Sequence, residues 1–451
     1  VHIRIKKGLD IPIEGAATGA VESLATPKRL ALDLSRFSGT RFKLLVKVGD
    51  PVKIGQPLAL DKSSEKRAFV SPAGGTITEV RRGLKRRLLS IVIDRDNEEE
   101  SLDHGTTKVA SASRKELVDK LCQGGLFAHI RQRPFDLLAH PEQTPRDIFV
   151  SAIESAPFAP TAEMQVEGRE LAFQVGLDAL SRLTTGHVHL VHKAGSHCSA
   201  FTDAQGVVVH TAEGPHPVGC ASLHIHEIAP ITSHTEVVWT LGALDVIAIG
   251  AFLQSGHYPT ERVVAIAGTG ILPERRGFFR TRAGAPVEQL IEDRNEKGEI
   301  RFISGDPLMG EKVEIEGFLG FDETVFCAVH ENSKREPFHF FRLGLSKYTA
   351  SHAYLSGFTK KKEFDFTTSQ HGEERAFVDS RPYQKVMPMQ IPVVQLVKAT
   401  LSGDYELAER LGILEVAAED FALPTFICPS KIEMVEIIQK ALEEYAAELI
   451  H

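Results

Sequence analysis

The chain has little cysteine, and none of it is closely paired. Its five cysteines, at 122, 198, 220, 327 and 428, are far apart and odd in number. No C-x-x-C occurs. A disulfide framework or an iron–sulfur cluster within this chain is therefore not expected, since either needs cysteines in matched groups. A reducing compartment fits. A long apolar run is also missing. The best stretch, 237–252, is interrupted by Asp245 and by small residues, and it falls short of the roughly 18–20 apolar residues that a membrane span requires. It predicts a buried strand and helix instead. Val1 to Lys7 carry charge with no apolar core behind it, so no secretory signal is expected. Positive charge is not in excess either. With 52 basic and 60 acidic residues the net charge is −8, which argues against a nucleic-acid partner.

Catalytic signatures are equally scarce. No G-x-S-x-G occurs, and Ser196-His197-Cys198 are too close in sequence to form a triad alone. A phosphate-binding turn needs glycines between a strand and a helix. Gly124-Gly125 is followed by bulky Leu126 and Phe127, and Gly268-Thr269-Gly270 runs into Pro273. Both read as ordinary turns. Two basic runs, Arg81 to Arg87 and Lys360-Lys361-Lys362, read as solvated loops; the alternative is docking to an acidic partner or lipid surface.

What is present is organised. At 451 residues, 42% apolar and 25% charged, the chain is globular and long enough for about three domains. Residues 46–80 hold Val46, Val48, Val52 and Leu58 as strand formers, with turns at Gly49-Asp50, Gly55-Gln56 and Ser71 to Gly75. This pattern resembles a biotinyl/lipoyl-like barrel-sandwich hybrid. Residues 147–153, 187–191 and 263–267 predict buried strands, and 163–183 has apolar residues at helical spacing, which suggests a mainly parallel sheet. Gly284 to Ile291 and Arg301 to Gly310 look like a small β-grasp module. Tyr405 to Leu411 predicts a helix closed by Gly412. Ser430 to Glu433 predicts a capping box that opens a helix with Val435, Ile438, Leu442, Tyr445 and Leu449 on one stripe. The fold class is α/β multidomain. Its parts are a barrel-sandwich region over 1–110, a Rossmann-like α/β domain over 111–268, an SLBB-like β-grasp module over 269–335 and a mainly helical domain over 336–451.

Two clusters invite chemistry. A carrier domain presents a modified lysine at its hairpin tip, and Lys66, or Lys62 just short of it, stands close to that place. The sequence around both is not that of a modified lysine, so bare lysines are the simpler reading. Histidines 187, 189, 192, 197, 210, 216, 224, 226 and 234 lie close in sequence. Cys220-x3-His224-x-His226 could ligate zinc, but its spacing matches no standard motif, and no metal is expected.

The strings at 5–15 (IKKGLDIPIEG), 48–58 (VGDPVKIGQPL), 71–77 (SPAGGTI), 133–135 (RPF), 304–310 (SGDPLMG), 386–389 (VMPM) and 426–431 (FICPSK) span nearly the whole chain. With the domain order, they resemble the NqrA family, a component of the sodium-translocating NADH:quinone oxidoreductases. That family is similar to the flavoprotein subunit of complex I and to its counterpart in Rnf complexes. Those relatives hold FMN and NADH on glycine-rich loops and a cluster on close cysteines. Here Phe127, His129 and Arg131 stand where the glycines would be, and Cys428 is alone. The resemblance implies no cofactor in this chain, with flavins and iron–sulfur centres in partner subunits. It implies a peripheral subunit on the cytoplasmic side of the inner membrane, beside multi-span membrane subunits. The complex would reduce ubiquinone to ubiquinol and export Na+, and the chain alone would not be catalytic. Ubiquinone is a candidate ligand. Arg131, Arg133 and Phe135 in the degenerate loop, and Arg36-Phe37, offer donors and an aromatic wall for its head group. The rival reading is a soluble lipoyl- or biotinyl-type carrier or transferase component; a third is an independent flavoenzyme.

Overall fold

The computed structural model describes residues 1–332, 341–359 and 363–450. The basic run Lys360-Lys361-Lys362 and the domain boundary set at 335/336 lie outside the described residues.

The barrel-sandwich is built from residue 29 onward. Strands Arg29–Asp33, Leu88–Arg95, Gly75–Arg82 and Pro51–Val52 form one sheet, and Phe42–Leu44, Pro57–Asp61 and Ser64–Val70 form the other. Leu30, Leu58, Phe69, Ile77 and Ile91 fill the space between them. Gly49 and Gly55 take the positive φ their turns need. Val46 and Val48 are not strand residues as expected; they lie in the connection that follows Phe42–Leu44, and Val48 is exposed. The first residues leave the barrel altogether. His2–Arg4 pairs with Val208–Glu213, and Val21–Ser23 pairs with Gly277–Arg282, so the chain stitches two other sheets before it builds its own.

The α/β sheet has Asp147–Ala152 at its centre. Val188–Lys193, Val208–Glu213 and His2–Arg4 follow outward on one side, and Val238–Gly242 lies on the other, all parallel. Antiparallel Arg131–Arg133 and Leu137–Leu138 complete that edge. Side chains alternate between two buried faces, as a doubly covered parallel sheet requires. Ile148, Val150 and Trp239 pack with Phe173, Leu177, Ile247 and Phe252 of the helices Glu170–Ser181 and Ala243–Ser255. These two helices touch through glycines: a Cβ on Gly250 would lie 1.7 Å from the Ala172 carbonyl oxygen, and one on Gly176 2.1 Å from that of Val246. Phe149, Val191 and Val238 face the other way, onto Leu396, Val397, Ile438 and Leu442. The C-terminal helices therefore form the sheet's second covering layer.

Several expectations change in detail. The helix expected over 163–183 is two, Ala162–Val166 and Glu170–Ser181, parted where Gly168 takes φ +73°. The strand at 263–267 exists as Glu261–Ala267, but it joins the six-stranded β-grasp sheet between Gly277–Arg282 and Val325–His330. The capping box at Ser430 does not form. Ser430 Oγ donates to the Ala376 carbonyl, Lys431 takes φ +56°, and the helix Met434–Ile450 begins with Met434 N donating to Thr425 Oγ1. Its stripe runs through Met434, Ile438, Leu442 and Tyr445, while Leu449 is exposed. Among the described residues, no helix is long and apolar enough to cross a membrane.

Candidate functional site

In an open α/β sheet the ligand crevice lies beyond the carboxyl ends of the strands, where the strand order reverses. Here that point falls between Asp147–Ala152 and Val238–Gly242. A cleft of about 1850 Å³ opens there. Glu154, Ser155, Gly242 and Asp245 follow the two strands into it, and the barrel, the β-grasp module and the C-terminal helices supply the other walls.

Arg36, Phe37, Arg131, Arg133 and Phe135, the candidates for a quinone head, all line this cleft, and most are engaged. Arg36 Nη1 donates to Asp322 Oδ2 at 2.7 Å, joining the barrel to the β-grasp module. Phe37 is buried in the barrel core, edge-on to Phe42, Phe69 and Phe321. Arg131 pairs with Asp136 at 3.2 Å. Arg133 is buried; it donates to Ser222 Oγ at 2.8 Å and pairs with Asp136 at 3.3 Å and Glu419 at 3.6 Å. Phe135, at φ +77°, sets its ring edge-on to Tyr445. Burial works against the Asp136 carboxylate, but Arg131 and Arg133 hold its pKa below the usual range.

Carboxyl groups are the unexpected part of the lining. Burial first raises the pKa of Glu154, Asp306, Glu323 and Glu419, and neighbouring carboxylates add to the rise for Glu154, Glu323 and Glu419. Glu323 and Glu419 are each pushed up to about 7. Glu154 is ringed by cleft walls yet open to water at its own surface. The turn after the central strand reads Ile153-Glu154-Ser155-Ala156-Pro157, without glycine and with an acid first in the crevice. That is poor chemistry for a pyrophosphate. The glycines considered from sequence lie elsewhere. Gly124 caps the helix Arg114–Gln123, and a Cβ there would meet Phe252 at 2.1 Å; one on Gly268 would meet the Ala328 carbonyl oxygen at 2.1 Å. Both serve close packing.

The sequence did not point to Asp245 or Asp322, which the fold brings to His129. His129 Nδ1 lies 3.1 Å from Asp245 Oδ1 and 3.1 Å from Asp322 Oδ1, and its ring stacks on Phe321 at 4.7 Å. Burial opposes charge on the imidazole, but the Asp245 and Asp322 carboxylates beside Nδ1 raise its pKa well above the ordinary value. Burial likewise opposes ionisation of Asp322, and Arg36 and His129 outweigh it and hold the pKa low. Sequence separation hid the group, since 116 residues part His129 from Asp245.

The other two clusters do not assemble. Lys62 sits at the turn of the hairpin, while Lys66 lies inside the strand Ser64–Val70 and pairs with Glu142. Cys220 precedes the helix Ala221–Ile228, His224 Nε2 bonds the Val218 carbonyl at 2.8 Å, and His226 Nδ1 bonds Glu415 Oε2 at 2.6 Å. Among the described residues, the one group of His, Cys, Asp or Glu placed to share an ion is His129, Asp245 and Asp322.

Comparison with known proteins agrees with this layout. Residues 3–96 match a family model described as the NqrA N-terminal barrel-sandwich hybrid domain. Residues 112–258 match the NqrA second alpha/beta domain, and residues 263–314 the NQRA C-terminal domain. The chain is 39% identical to a protein of Chlamydia pneumoniae over 99% of this chain and 98% of that one. It is 36% identical to one of Photorhabdus laumondii over 99% and 100%, and 38% identical to one of Rhodopirellula baltica over 97% of each. All three relatives are named as the A-type component of Na(+)-translocating NADH-quinone reductase.

Proposed function

Because the chain belongs to the NqrA family of Na(+)-translocating NADH-quinone reductase components, we propose that it works within such a complex as a peripheral, cofactor-free subunit that scaffolds its partners and receives a quinone head group in its central cleft. On this reading it sits on the cytoplasmic side of the membrane, beside multi-span subunits. It takes part in ubiquinone reduction coupled to Na+ export, while flavins and iron–sulfur centres belong to the partners.

The observation that carries the reading is the chemistry of the crevice. Its carboxyl lining opposes a dinucleotide, but a quinone head is uncharged and meets no such repulsion. A quinone carbonyl needs a hydrogen-bond donor and the ring needs an apolar wall. Arg36, Arg131 and Arg133 carry guanidinium donors there, and Phe135 and Leu442 are apolar. Phe37 serves the barrel core rather than the wall. Photo-crosslinking of the assembled complex with an azido-quinone tests this. Label on the peptides holding Arg36 or Arg131 to Phe135 is the expected result. Label confined to other subunits would overturn the quinone part. Co-purification of multi-span subunits in mild detergent tests the scaffold part separately.

A further inference from the structure

We propose that His129, Asp245 and Asp322 hold a divalent transition-metal ion of the Mn2+ or Zn2+ class where three domains meet. His129 ends the short turn Leu126–His129, Asp245 stands in the first turn of Ala243–Ser255, and Asp322 lies just before the β-grasp strand Val325–His330. The donor atoms are His129 Nδ1 and the two Oδ1 oxygens, all within 4.8 Å of one another. The nitrogen is 3.1 Å from each oxygen. Bond lengths of about 2.1 Å put neighbouring ligands of an octahedral ion about 3 Å apart. One imidazole with two carboxylates suits borderline first-row ions better than calcium or copper(I).

The atoms around the donors point the same way. Each carboxylate has its Oδ2 tied to a structural donor: the Gly242 amide at 3.0 Å for Asp245, and Arg36 Nη1 at 2.7 Å for Asp322. Both Oδ1 atoms are thereby turned toward His129, as outer bonds orient metal ligands. Stacking on Phe321 fixes the ring. The proton on one imidazole nitrogen bonds only one acceptor well, and it goes to Asp245. Asp322 Oδ1, 3.1 Å from Nδ1, is left buried without a hydrogen bond of its own. A buried carboxylate oxygen without a partner calls for an explanation, and an ion bound to both oxygens supplies one. The group also borders both the main cleft and a second cavity of about 200 Å³, so water or a ligand oxygen can complete the coordination.

The test uses the full chain stripped with a chelator and titrated with Mn2+, with free Mn2+ read by electron paramagnetic resonance. We expect uptake of a single ion. Asp245→Asn and Asp322→Asn should each weaken it about tenfold or more, and His226→Gln should leave it unchanged. No stoichiometric uptake, or uptake indifferent to both Asn variants, overturns the proposal. Co2+ on the unaltered protein gives a second reading that needs no variant to fold. Weak visible bands without thiolate charge transfer are expected. An intense thiolate band, or no protein-induced band at all, overturns the site.

Discussion

Replacing Arg67 tests whether the barrel hairpin is clamped or free. Arg67 and Asp61 form an ion pair, and both side chains are 2% exposed. Arg67 Nη2 also donates to the Ala139 carbonyl, so the pair ties the hairpin to the α/β domain. Asp61 Oδ1 accepts from Ser63 N and Oγ, each at 2.8 Å. Arg67→Met keeps most of the volume, removes the bond to Ala139 and strands a carboxylate in a dry site. Losing one partner of a buried pair costs about 3–5 kcal/mol. At roughly 2–4 °C per kcal/mol for a cooperative unit of this size, the barrel transition should fall by about 10 °C. Asp61→Asn with Arg67→Met keeps the turn acceptor and removes the stranded charge, so it should recover at least half of the loss. Calorimetry of the full chain, with hydrogen exchange on the 57–70 hairpin, reads both quantities. A single-variant loss under about 1 kcal/mol, or a double variant equal to the sum of the singles, would refute the reasoning. The clamp would then be hydrated, and the swinging-arm reading of this hairpin would regain its footing.

Three further outcomes can be checked. The hydrogen bond that His226 donates to Glu415 raises the pKa of His226, so this pair's stabilisation is complete below the free histidine value of about 6.5 and is lost as pH rises through the raised value; melting curves from about pH 6 to 9 should show a slope that Glu415→Gln flattens. Burial pushes His224 down to about 4, so between about 6.5 and 4 the unfolded chain takes up a proton that the folded chain refuses; acidification should cost roughly 3 kcal/mol at this residue, and His224→Gln should remove that part of the acid slope. Gly250→Ala drives a methyl into the Ala172 carbonyl and should cost about 3 kcal/mol in urea unfolding, whereas Gly206→Ala, at φ +73° in open space, should cost about 1 kcal/mol.

Period and turn chemistry made much of the fold legible. Strands at 147–152 and 188–193 announce themselves by their β-branched and apolar residues, Ile148, Phe149, Val150, Val188, Leu190 and Val191, and Gly49, Gly55 and Gly412 mark turns that need positive φ. Partnership was not legible. Glu261–Ala267 reads as a buried strand in either sheet, and nothing local says that its neighbours are residues 277–282 and 325–330. The same limit explains the Ser430 cap. The S-x-x-E pattern is present, but Ala376 takes the hydroxyl through a contact 54 residues away. At the site, Arg36 and the 131–135 segment were found from sequence and share one cleft. His129 and Asp245 come from opposite ends of the α/β domain and Asp322 from the β-grasp module, and no spacing rule spans them.

Topology sets where this molecule offers a crevice, and side chains set what the crevice accepts. Reversal of strand order beside Asp147–Ala152 would open a cleft whatever residues followed. Glu154 on that first turn, with Glu323 and Glu419 pushed up to about 7, then makes the place unfriendly to phosphate and able to hold protons near neutral pH. Arginines do not reverse that balance, because Arg36, Arg131 and Arg133 are each already paired with an acid. An uncharged ring is favoured by the same arrangement that disfavours a dinucleotide. A divalent cation is favoured at one corner, where two carboxylates share a single imidazole. The two ligands would draw on different parts of the cleft and meet only at Arg36, whose guanidinium orients Asp322 with Nη1 and has further N–H groups to give.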